Sequence, residues 1–178
     1  SSIKRVKFVK YLGMTLDENL SWDLHVKELC NSLTKYFGIF YNLRSTLTVS
    51  LKKLLYYSFV HSRINYGVEI YGSCRKTLLN KIQILQNKLL KVLFNKPYRT
   101  GTNDLHRELQ LLKVNDLYKL RVLNFVYKAV NRESIDQFCN YFPSRVNIHD
   151  HNTRQKKQLV VKNVKTNFGK SSVYFQGA

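Results

Sequence analysis

LLYYSFVHSRINYGVEIYGSCRKTLLNKIQILQNKLLKVLF, residues 54–94, is the stretch on which the fold turns. It reads as two helices joined by a corner marked with Tyr and Gly. In its second half Leu78, Ile82, Leu85, Leu89 and Val92 recur at three- and four-residue steps, which sets them on one helical face. Lys81, Lys88 and Lys91 fall along one flank of that stripe. One helix therefore offers a core-facing seam and a cationic edge.

Upstream, residues 3–16 alternate Lys4, Arg5, Lys7 and Lys10 with apolar positions, the pattern of one or two half-buried strands. Gly13 within that pattern predicts a bend or a close backbone approach. The lysines have a plain structural use as well, since charge on an edge strand protects it from mispairing. A helix over residues 22–44 follows, with Ser21 as N-cap and Leu29, Leu33, Tyr36, Phe37, Phe40 and Leu43 inward. Arg44 stands at its C-terminal end, where the helix dipole favours a cation. Thr48 or Ser50 caps the next helix, with Leu51, Leu54, Leu55, Phe59 and Val60 inward.

Downstream, residues 95–102 form the clearest loop, framed by Pro97 and Gly101. A short helix over 103–109 precedes a longer one over 116–130, capped by Asn115. That longer helix is apolar around most of its circumference and should be nearly enclosed. Residues 133–143 read as a connector, and 159–161 and 173–175 as short strands. The expected fold is mainly α, a helical bundle preceded by a short β element and followed by a short irregular or β segment. Its divisions are residues 1–20, 21–132 and a basic segment, 133–178.

Charge narrows the function. Thirty Lys and Arg stand against eleven Asp and Glu, a net charge of +19 over 178 residues. Solubility needs far less than this, so the expected partner is a polyanion, nucleic acid ahead of an anionic membrane surface. No run of 18 apolar residues is present, so no membrane span is expected. Cys30, Cys74 and Cys139 are far apart and odd in number. With no secretory signal they read as free thiols in a reducing compartment, nuclear or cytoplasmic. The opening SSIKRVKF enters strand-like sequence at once, as a piece of a longer protein would.

Covalent chemistry finds little support. His149, His151 and Cys139 lack the spacing of a zinc site. Asp104 and Glu108 are a like-charge pair on one short helix, and no carboxylate dyad follows a strand, as two-metal phosphoryl transfer requires. Of the tyrosines crowding the central corner (Tyr56, Tyr57, Tyr66, Tyr71), each can be a core residue whose hydroxyl finds a partner, or a platform for a base. The Tyr98-Arg99-Thr100 loop offers a guanidinium and hydroxyls suited to phosphate, and is equally readable as plain surface.

These residues also carry a resemblance. Phe8-Val9-Lys10-Tyr11-Leu12-Gly13-Met14, with Leu20-Ser21-Trp22 and His25, resembles the end of the palm in non-LTR retrotransposon reverse transcriptases. Leu55-Tyr56-Tyr57-Ser58, Asn65-Tyr66-Gly67 and Ile84-Leu85-Gln86-Asn87-Lys88 look like the helices that follow in its jockey-like branch. Asn152-Thr153-Arg154, Gly169-Lys170-Ser171-Ser172, Tyr174 and Gly177-Ala178 resemble its downstream signature. The resemblance implies a primer-grip strand at Leu12-Gly13, then a thumb, with the catalytic aspartates of the RNA-directed DNA polymerase upstream of this chain. It implies no cofactor here, a divalent metal (Mg) in the parent enzyme, and as partners an RNA template, a DNA primer and the upstream fingers and palm. The residues expected to touch nucleic acid are Leu12, Gly13, Lys81, Lys88, Lys91, Arg99, Thr100 and Arg154. The rival expectation is a basic helical protein-interaction module with no nucleic-acid role.

Overall fold

The structure is a computed structural model and describes residues 5–143, 145, 154, 158–160, 163–170 and 172–177. His149, His151 and the Asn152-Thr153 pair lie outside the described residues. The chain divides by packing into two compact units, residues 1–117 and 118–178.

The first unit opens with an antiparallel hairpin, β1 (Phe8–Tyr11) and β2 (Met14–Asp17), in which Phe8 pairs with Asp17 and Tyr11 with Met14. Its two-residue loop has positive φ at both Leu12 (45°) and Gly13 (75°), the combination a type I′ turn needs. β1 is exposed along its length, whereas Met14 and Thr15 of β2 are buried.

Two helices follow where one was expected: α1 (Asp23–Thr34) and α2 (Tyr36–Leu43), separated by Lys35. Ser21 is not the N-cap. Trp22 holds that position at φ 67°, and the Asp17 carboxylate accepts the Ser21 and Trp22 N–H groups at 3.0 and 3.2 Å. The Trp22 indole is buried. Thr48 does cap the next helix, accepting the Leu51 N–H.

That helix, α3 (Val49–Leu55), runs without a break through a π-helical turn (Tyr56–His61) into α4 (Ser62–Asn65). Its inward face is Tyr56, Val60 and Ile64, all wholly buried, while Leu51, Leu54 and Phe59 are exposed. Of the residues expected inward, Val60 is buried and Leu55 half-buried, and Tyr56 goes in where Leu54 and Phe59 stay out, because a phenol can go inside when its hydroxyl is answered. At Gly67 (φ 66°) the chain turns into α5 (Val68–Tyr71), and a Cβ there would lie 2.7 Å from Met14 Sδ. The Tyr71 hydroxyl donates to the Ile64 carbonyl across this corner.

The helix α6 (Lys76–Leu93) packs on α1 and α2 through Leu78, Leu79, Ile82, Leu89, Leu90 and Leu93. Gln86, wholly buried among them, donates to the Tyr56 hydroxyl (2.6 Å) and the Leu112 carbonyl (3.0 Å). Gln83 accepts the Val114 N–H at 2.8 Å. Then come α7 (Thr102–Leu109) and α8 (Val114–Val130), the latter starting two residues earlier than the sequence pattern placed it. α8 is not enclosed: Leu120, Leu123, Tyr127 and Val130 are exposed, and Tyr118, Val122, Val126 and Ala129 are buried.

In the second unit, Phe125, Phe138, Phe142 and Tyr174 form an aromatic cluster, with Phe142 stacked on Tyr174 at 5.7 Å between ring centres. It includes α9 (Asp136–Cys139), α10 (Asn167–Lys170) and α11 (Val173–Gly177). The strand expected at 173–175 is thus a helical turn. Its Tyr174 is buried and donates its hydroxyl to the Val160 carbonyl. Main-chain bonds from Arg145 to Gln158 and from Val160 to Pro143 join the neighbouring segments.

Tyr56→Phe should cost about 1–2 kcal/mol and Gln86→Leu about 2–4 kcal/mol, since the latter strands the Leu112 carbonyl and the Tyr56 hydroxyl together. Urea unfolding of the two variants measures this order. A pH effect follows from His25, whose Nδ1 accepts the Thr15 N–H at 3.4 Å. Burial, with Lys10 adding to it and Glu28 opposing, holds its pKa below the ordinary value, and burial lowers His106 likewise. Protonation therefore favours the unfolded chain. Stability is complete above about pH 6.5 and is lost as pH falls through the folded pKa. The urea midpoint should drop on acidification, and His25→Asn, which keeps an acceptor but does not titrate, should flatten that slope.

Candidate nucleic-acid interface

The end of α6 builds a cationic cleft. After Phe94 the chain takes a left-handed step at Asn95 (φ 53°), with Asn95 N–H on Val92 C=O and Lys96 N–H on Lys91 C=O at 2.8 Å. This is the Schellman closure, with Asn in the place usual for Gly. It turns residues 96–98 back towards the helix they have just left. Lys91 Nζ then donates to the Tyr98 carbonyl at 2.6 Å and lies 5.5 Å from the centre of the Tyr98 ring.

Between this turn and the end of α2 lies an open cleft of about 570 Å³. Arg44, Lys88, Lys91 and Lys96 line it together with Phe37, Ile84, Val92 and Tyr98, and no Asp or Glu is among its lining residues. Lys96 is paired with Glu108 at 2.6 Å, and the Arg44 guanidinium lies 3.5 Å over the Tyr41 ring. Like charges on one cleft repel. With Lys96 answered by Glu108, it is Arg44, Lys88 and Lys91 whose shared placement is a cost that an anion would relieve.

The expected site residues distribute unevenly. Lys88 and Lys91 meet in this cleft, and Lys81 does not join them. Two turns earlier, Lys81 lines a separate hollow of about 310 Å³ with Asp23, Lys27 and Cys30, where the charge is mixed. Arg99 is exposed and Thr100 half-buried on the loop that carries Tyr98, but neither lines the cleft. Leu12 and Gly13 are the hairpin tip. Leu12 is 72% exposed, its carbonyl accepts the Tyr66 hydroxyl at 2.6 Å, and Gly13 borders a hollow with Lys10, Tyr36, Arg63 and Tyr66. Arg154 is exposed in the second unit.

Sequence reasoning missed Arg44 and Lys96. The signal for Arg44 was present: it lies seven residues after Phe37, two turns along the same face. Lys96 carried none, because only the left-handed turn at Asn95 brings it back.

Other chemistry is sparse. Burial pushes the Cys74 thiol up to about 11 and also raises Cys30, so neither is an activated nucleophile. Among the described residues no three His, Cys, Asp or Glu side chains converge as a metal site would need. No helix among them is long and apolar enough to cross a membrane.

Helices of this order behind a β-hairpin, with a basic cleft, accord with the polymerase resemblance, and comparison with known proteins gives it a class. The chain is homologous to a segment of the RNA-directed DNA polymerases of jockey-like non-LTR retrotransposons. It is 34% identical over 110 residues, 60% of its length, to the probable RNA-directed DNA polymerase from transposon BS of Drosophila melanogaster. It is 30% identical over 136 residues, 75% of its length, to the RNA-directed DNA polymerase from mobile element jockey of the same species. The jockey polymerase of Drosophila funebris matches at 29% over 143 residues, 78% of the chain. The chain spans only 12% to 15% of the length of these relatives. No family model and no solved structure matches it.

Tyr66→Phe should free the hairpin tip without unfolding the unit. Amide exchange at Gly13 and Met14 should quicken about fivefold, the equivalent of one hydrogen bond of about 1 kcal/mol, while the exchange of α6 stays unchanged.

Proposed function

We propose that this chain is the part of a retroelement RNA-directed DNA polymerase that holds the template–primer, from the end of the palm through a helical thumb, with residues 133–178 as a basic following segment. The observation that carries the reading is the convergence of Arg44, Lys88, Lys91 and Lys96 on one open cleft with no carboxylate in its lining. These residues come from two separate stretches of chain, the end of α2 and residues 88–96. A solvated charge run on one helix face would not produce such convergence.

In this reading the chain makes no covalent change. Cations on phosphates supply affinity through counterion release, and contacts that avoid base edges permit translocation after each nucleotide. The hairpin tip, Leu12-Gly13, meets the primer end through its backbone, steadied by Tyr66. Arg99, Thr100 and Arg154 add phosphate contacts at the periphery. Nucleotide transfer with divalent metal belongs to carboxylates outside this chain, in the palm and fingers it would join, within a reducing compartment.

The test is binding of the 178-residue chain to an RNA–DNA hybrid and to duplex DNA across a salt series. Lys88→Ala and Lys91→Ala should each weaken both ligands regardless of sequence and lower the log–log salt slope by roughly one. Lys81→Ala should do distinctly less. Binding that is weak and indifferent to salt contradicts the reading. The rival, a protein-interaction module, would draw on the exposed row Leu120, Leu123, Tyr127 and Val130 of α8. Association that persists at high salt and is lost on Leu123→Asp would favour it.

A further inference from the structure

Holding a duplex by its phosphates needs a row of cations and no depth. The cleft at the end of α6 has depth, about 570 Å³, within the range of pockets that enclose small ligands. Its walls include Phe37, Ile84 and Val92, apolar side chains that a phosphate cannot use. At its mouth Tyr98 is 82% exposed, yet its position is set by the Lys91 bond to its carbonyl and by the ammonium beside its ring. An aromatic ring held open to solvent next to cations is a stacking platform for a base.

We propose that this cleft takes a single unpaired nucleotide: the base goes against Tyr98 and the apolar wall, and the flanking phosphates go to Arg44 and Lys88. The preferred ligand is then single-stranded nucleic acid, such as the unpaired extension of a template beyond its duplex. A base inside a duplex is stacked and paired, and drawing it out costs a few kcal/mol that an unpaired base does not incur. Charge complementarity selects the polyanion and the apolar depth selects its unpaired form. The inference rests on the cleft being the phosphate-binding site proposed above, and it adds the base.

Three oligonucleotide probes of equal length separate the two claims: a single-stranded oligouridylate, the same strand with abasic sites, and an RNA–DNA hybrid. The full chain should bind the single strand more tightly than the abasic strand or the hybrid. Tyr98→Ala should weaken the oligouridylate about tenfold, the worth of one base stacked on an aromatic ring, and leave the abasic strand and hybrid unchanged. Tyr98→Phe should restore binding, and Lys88→Ala should weaken all three probes. Equal affinity for the abasic and intact strands, with a steep salt slope for both, would overturn the base pocket and leave the phosphate grip standing. Absence of salt-dependent binding to every probe would overturn both. Because Tyr98 is exposed, its replacement leaves the core intact, and an unchanged urea midpoint verifies that.

Discussion

Gln86 is the residue around which the first unit is arranged. Wholly buried, it gives its amide to the Tyr56 hydroxyl and the Leu112 carbonyl, and so joins the π-helical turn, α6 and the segment before α8. A buried amide is tolerable only when both its ends are answered, which makes the arrangement unforgiving. The Tyr56 phenol depends on it in turn, and burial pushes that phenol up to about 12, so it stays a neutral partner over the ordinary pH range. With Gln86, Ile82, Leu89 and Leu93 inward, the roll of α6 about its axis is settled. Lys88, some 200° around the helix from Gln86, then has to face out.

That rotation connects core to surface. The seam that buries α6 against α1 and α2 is also what sets Lys88 and Lys91 opposite Phe37 and Arg44. The left-handed residue Asn95 completes the cleft by turning Lys96 and Tyr98 back over it. None of these cations is remarkable in itself, and a lone surface lysine contributes little. The arrangement counts because fields from several cations sum in a concave space with no Asp or Glu in its lining, Glu108 reaching only Lys96.

Much of this was legible beforehand, for identifiable reasons. Strands show in the alternation of Lys with apolar residues, although the half-burial expected from it fails in β1, which is exposed throughout, and α6 shows in its three- and four-residue recurrence. The corner shows in Tyr66-Gly67, where only a left-handed residue fits. What stayed hidden depends on pairing between distant residues. Tyr56 goes inside instead of Leu54, which is 60% exposed, because Gln86 waits for its hydroxyl thirty positions later. A π-helical turn leaves no periodic trace. Helical spacing placed Lys81 with Lys88 and Lys91, yet across two turns its neighbours change from a cationic set to the mixed set of Asp23 and Lys27.

The most direct test of the central claim is lysine acylation of the chain, free and bound to an RNA–DNA hybrid with a single-stranded template extension, read residue by residue. The account predicts that Lys88, Lys91 and Lys96 become protected on binding while Lys81 reacts as before. Protection spread evenly over the surface lysines, or Lys88 reacting equally in both states, would contradict it.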